Sequence, residues 1–144
     1  ALQPNIREDV LALCNAVIAQ HEQRPEEALA NFQRVTISQP LFKLMVRLYT
    51  IENLMTLGRW DDVRSAVDAL RRLGFPEGAI SVRHYALVDE VVKIVPRIAT
   101  IVESEPGQRR DLRHVAALEA INVMSTNIFG VRNWLRAFLT HESL

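Results

Sequence analysis

Apolar residues recur at spacings of three and four along nearly the whole chain, and nowhere do they alternate at period two for long enough to make a strand. That pattern predicts helices. The first runs roughly from Asn5, a residue able to cap it, to Gln23, with Ile6, Val10, Leu13 or Cys14, and Val17 on one stripe. Pro25 reads as the first residue of a second helix, with Glu26 and Glu27 near its positive end. That helix carries Ala28, Phe32 and Val35 on one face, and Pro40 is expected to stop it. A third covers about Phe42 to Leu57 and ends at Gly58; a fourth runs from Trp60 to Leu73, with Gly74 as its left-handed cap. The fragment "FPEGAIS" reads as a linker. Turns of two to four residues between these helices imply antiparallel neighbours.

The second half is apolar at helical spacings from Ala79 to Ser104, through Val82, Tyr85, Val88, Val92, Val95, Ile98 and Val102. Pro96 should kink or divide that helix. Two more helices are expected, from about Arg109 to Met124 and from about Asn127 to Leu139.

The even-numbered helices align with each other. "PEEALANFQRVTISQP" and "WDDVRSAVDALRRLGF" place Pro25 on Trp60, Ala28 on Val63, Phe32 on Val67 and Val35 on Leu70, at a constant offset of 35. One helix pair per period in the mid-thirties is the signature of a stacked helical repeat. On these residues, with Gly58 ahead of the aromatic, the chain resembles the tetratricopeptide repeat family over residues 8–75. Residues 79–106 would be a degenerate third unit if Pro96 breaks their helix, and 107–144 would close the array. The resemblance implies a single all-α domain, a right-handed α-solenoid of antiparallel helix pairs.

It also implies a concave face lined by the first helix of each pair. Carried over residue by residue, with two extra residues counted in the first unit's turn, that face takes Glu8, Leu11, Asn15 and Ala19 from the first unit. The second unit would give Met45, Leu48, Tyr49, Glu52 and Thr56. Asn15 and Glu52 then occupy equivalent positions, where the family places polar side chains that hold a peptide backbone. Ile51 departs from the family's preference for a small residue. The expected partner is another protein or peptide segment, with a homodimer as one form if the second half's apolar stripe exceeds what one chain covers.

Composition sharpens what is excluded. The 144 residues are 49% hydrophobic and 24% charged, with five glycines and six prolines, an ordered rather than disordered balance. Lys+Arg and Asp+Glu are both 17, so no net field draws the molecule to nucleic acid or to an anionic membrane. The single cysteine, Cys14, excludes an internal disulfide and a cysteine-built metal site, and its apolar neighbours suggest a small core residue. No apolar run approaches 18 residues and no signal peptide is visible, so a cytoplasmic protein is expected. His21, His84, His114 and His141 show no zinc-site spacing, and no phosphate loop or nucleophile elbow occurs. The reading is therefore of a non-enzyme without metal or cofactor.

A competing class rests on "STNIFGVRNWLRAF", residues 125–138, which looks like the recognition helix of a helix-turn-helix regulator. Arg132 and Arg136 would face phosphates or bases, with Asn127 or Asn133 on adenine edges. The plain reading of the same stretch is an amphipathic closing helix that buries Ile128, Val131, Trp134, Leu135 and Phe138.

Overall fold

The structure, a computed structural model, describes residues 4–142 and the side chains of residues 6–141. Among them are seven α-helices and no strand: α1 Pro4–His21, α2 Pro25–Gln33, α3 Pro40–Thr56, α4 Trp60–Arg72, α5 Val82–Glu103, α6 Gln108–Asn122 and α7 Val131–Glu142, with a 3-10 turn at Ile128–Gly130 before α7. The chain divides into two compact units, residues 1–66 and 67–144. The fold class is all-α, as the periodicity requires.

In the first unit α1 packs on α2 and α2 on α3. Its core is built on small residues: Ala16, Ala19 and Ala28 surround Phe32, and Leu13, Val17, Val46 and Tyr49 close in around them. Alanine at a contact lets helix axes approach closely. The fully buried face of α1 is therefore Ala12, Ala16 and Ala19; of the expected stripe, Leu13 and Val17 pack against this core and Ile6, Val10 and Cys14 do not. Ile6 and Val10 stay 42% and 41% exposed, and Cys14 is an exposed thiol rather than a core residue. Because α1 is apolar on most of its circumference, residue size, not hydropathy, selects the face that meets α2. The helix also starts at Pro4, ahead of Asn5, whose side chain lies outside the described residues.

α2 stops at Gln33, well short of Pro40, and Pro40 begins α3 instead of ending α2. Residues 35–39, Val-Thr-Ile-Ser-Gln, are neither helix nor turn. Three consecutive β-branched side chains disfavour further helix, and Asp9 supplies an alternative set of bonds. Its carboxylate accepts from the Thr36 backbone N–H at 3.1 Å and from the Thr36 hydroxyl at 2.7 Å. Val35 consequently leaves the helical face on which it was aligned with Leu70.

The turns after α1 and α3 share one bonding scheme at a constant offset of 35. The Glu22 N–H donates to Ile18 O as Leu57 does to Asn53 O, Gln23 to Gln20 O as Gly58 to Met55 O, and Arg24 to Ala19 O as Arg59 to Leu54 O. The start of the following helix repeats too, with Ala28 donating to Arg24 O and Val63 to Arg59 O. The long bond closing the last turn and the shorter one nested inside it form the left-handed helix stop. Gly58 takes its positive φ of 69° freely, whereas Gln23 holds a φ of 57° with a side chain. Gln23→Gly is thus expected to raise stability by roughly 1 kcal/mol, read as a higher denaturation midpoint at unchanged m; a drop would show that the Gln23 side chain contributes more than its strain.

In the second unit α5 packs on α6 and α6 on α7. The expected break at Pro96 does not occur, and α5 runs unbroken for 22 residues. Proline removes one N–H from the ladder, but Leu87, Val91, Ile94, Val95, Ile98, Ala99 and Ile101 are buried on both sides of it. That continuous apolar contact outweighs a missing bond. A division of residues 79–106 into a helix pair is therefore absent. The buried face is also rotated from the expected stripe, since Val82 is almost fully exposed.

Candidate functional site

The residues expected to line one partner-binding face are placed in different environments. Glu8, Leu11 and Asn15 are exposed on α1, Leu11 at 60%. With Ile6, Val10, Cys14 and Ile18, the last 50% exposed, Leu11 makes an apolar outer face on that helix. Ala19, by contrast, is fully buried. On α3, Leu48 is buried, Met45 and Tyr49 are half-buried and Thr56 is exposed, with its hydroxyl donating to Glu52 O. The Tyr49 ring belongs to the core, tilted at 43° to Phe32 with centroids 5.9 Å apart.

Glu52 departs furthest from expectation. It is 5% exposed rather than lining an open face. Its Oε2 accepts from Gln20 Nε2 at 2.7 Å, while Oε1 is buried without a hydrogen-bond partner. Gln20 Oε1 accepts in turn from Asn53 Nδ2, which also donates to Tyr49 O. Burial pushes the Glu52 carboxyl up to about 8, against a smaller downward pull from the Gln20 amide. Burial first, and then the Glu52 charge, raises Tyr49. This polar knot ties α1 to α3.

The turns explain the displacement. At the constant offset of 35 the partner of Glu52 is Val17, which packs on the core, and the partner of Asn15 is Thr50. The two extra residues counted in the first turn are not there, so the equivalence of Asn15 with Glu52 fails. The backbone bonds of the turns thus extend to α1 and α3 the offset of 35 that aligns α2 with α4 in the sequence.

Between α2, residues 34–39 and α3 lies a cleft of about 510 Å3, which sequence patterning did not suggest. Phe32, Val35, Ile37 and Val46 form its apolar lining, and Lys43 and Arg47 stand one helical turn apart beside it. Lys43 and Arg47 belong to no sequence motif, and the cleft itself depends on where α2 stops.

In the second unit the four residues of the helix-turn-helix reading sit close to α7 and carry intramolecular bonds. Asn127 Oδ1 accepts from the Asn133 N–H in the first turn of α7 at 3.1 Å. Arg136 Nε donates to Asn122 Oδ1 at 2.9 Å, and Arg132 Nη1 reaches Met124 O at 3.5 Å, with its Nε buried and unbonded. Val131, Leu135 and Leu139 are buried, and Trp134 stacks on Phe138. A turn with Phe129 at φ 56° precedes the helix.

No helix among the described residues is long and apolar enough to cross a membrane, and none of their His, Cys, Asp and Glu side chains cluster in threes as a metal site would need. No protein-family model, curated protein or solved structure matches the chain.

Proposed function

We propose that the chain is a non-catalytic binding module, an adaptor, chaperone or sensory domain whose helix pairs follow the tetratricopeptide plan and hold an apolar partner segment. The outer face of α1 carries this reading: Ile6, Val10, Leu11 and Ile18 present large apolar surface beside the polar Glu8 and Asn15. A contiguous apolar face on an ordered helix marks an interaction surface more often than scattered exposed residues do. The identical turns 35 residues apart support the repeat plan. Recognition then rests on α1 with Glu8, Leu11 and Asn15. Tyr49 packs in the core, Met45 is half-buried on α3, and Glu52 belongs to the buried knot with Gln20 rather than to the contact surface.

The test is affinity capture from a lysate of the source organism, comparing wild type with Leu11→Lys/Asn15→Ala and assaying the eluate for protein and nucleic acid. Both replaced side chains are exposed, so the helical circular dichroism and melting temperature should hold. The expected result is a protein retained by wild type and lost by the variant. Equal retention by both would remove α1 from the interface, and nucleic acid without a specific protein would turn attention to Arg132 and Arg136.

A further inference from the structure

The cleft beside α3 combines three features that the binding face on α1 does not use. Its volume of about 510 Å3 falls within the range of ligand clefts, roughly 300–1,000 Å3. Residues 35–39 form one wall outside any helix or turn; Val35 and Ile37 are half-buried and Thr36 and Ser38 exposed, the alternation of a strand, and Gln39 has extended dihedrals. Asp9 holds that wall through Thr36. Beyond Thr36 the backbone N–H groups of Ile37, Ser38 and Gln39 make no hydrogen bond among the described residues. Successive N–H groups of an extended chain point to opposite edges. Either edge of this wall therefore presents a free donor.

Among the side chains that line the cleft the charge is one-sided. Lys43 and Arg47 are exposed at the cleft, and neither side chain forms an ion pair or hydrogen bond among the described residues. Asp9, the carboxylate bonded to the wall, is engaged by Thr36. Four residues along an α-helix advance about 6 Å, and two residues along an extended chain advance about 6.7 Å. Lys43 and Arg47 thus match the spacing of carboxylates at positions i and i+2 of an extended peptide.

We propose that this cleft binds an extended acidic peptide, which adds its backbone to the free edge of residues 37–39 and sets two carboxylates, at i and i+2, against Lys43 and Arg47. Backbone pairing supplies sequence-independent affinity, and the two cations supply selectivity. The apolar lining from Phe32, Val35, Ile37 and Val46 receives the side chains that point away from the cations.

A random decapeptide library displayed on phage and selected on the immobilised full chain tests this directly. The retained peptides are expected to be enriched in Asp and Glu, with the i, i+2 pairing over-represented. A synthetic peptide from that pool should bind at least about tenfold more weakly to Lys43→Glu/Arg47→Glu, and lose affinity as salt rises. Lys43→Gln/Arg47→Gln, which adds no repulsion, should show an intermediate loss at an unchanged melting temperature. Leu11→Lys should leave the selection intact. Retained peptides without an acidic excess, no peptide retained above bare support, equal binding by the charge variants, or loss on Leu11→Lys would each overturn the assignment. So would displacement of the peptide by a single-stranded oligonucleotide of equal affinity, which would make the site a general polyanion site.

Discussion

Glu52→Gln will leave the protein about as stable as wild type near pH 5 and clearly more stable at pH 9. Ionisation explains the difference. In the unfolded chain this carboxyl titrates near its ordinary 4.5, and in the folded protein at about 8. Below 4.5 both states hold the proton and the group's contribution is fully present. Between 4.5 and 8 only the folded state holds it, so stability falls as pH rises, by at most about 1.4 kcal/mol per pH unit. Above 8 both states are ionised and the loss is complete, roughly 4–5 kcal/mol across the window. The introduced amide cannot ionise, and its oxygen can still accept from Gln20 Nε2. At low pH its NH2 group, where Oε1 lacks a partner now, costs about 1–2 kcal/mol. Urea unfolding of both proteins from pH 5 to 9 should therefore give curves that cross. Parallel curves would mean that Glu52 titrates alike in both states, and that the buried knot with Gln20 and Asn53 opens in solution.

Phe32→Ala will cost about 3–5 kcal/mol, the largest loss expected from a single side chain in the first unit. The ring is 2% exposed, set among three alanines and tilted against Tyr49. Alanine neighbours cannot expand into the space a phenyl ring leaves, so little of the cavity will be recovered by relaxation. α2, only nine residues long, has too few internal bonds to hold its shape without that anchor. The consequence reaches beyond stability, because Phe32 also floors the cleft. Acidic-peptide binding should fall with it even under conditions where the chain remains folded. Val10→Ala, on an exposed face, serves as the comparison and should stay within about 0.5 kcal/mol of wild type. If both substitutions cost alike, the core described around Phe32 is not what holds α1 and α2 together.

Helix number and most boundaries were legible because Pro, Gly and the apolar period speak to them directly. α4 begins at Trp60 and ends within a residue of expectation for that reason. Faces were harder. On α1 large apolar residues occur on most sides, and the choice of Ala12, Ala16 and Ala19 follows from how near α2 can come, a property of the pair rather than of either segment. The end of α2 was hidden because its stop is Asp9, 27 residues away in sequence from Thr36. Pro96 was read by its local effect, whereas tertiary packing along α5 decides the outcome. Glu52 was misplaced by a register error of two residues, and no composition rule marks a carboxyl that will be buried. The cleft beside Lys43 and Arg47 combines all of these, since it needs the position of the α2 stop and the direction of an irregular segment.

Cys14 gives α1 a reporter that requires no engineering. It is the chain's only sulfhydryl, and it lies exposed on the same helix as Leu11 and Ile18. Alkylation at that sulfur therefore counts, molecule by molecule, how often the face is uncovered. The rate for the isolated chain sets the open limit. Slower modification in the presence of a captured partner measures the fraction of time the helix is occupied, and the mass of the intact protein is sufficient to read it.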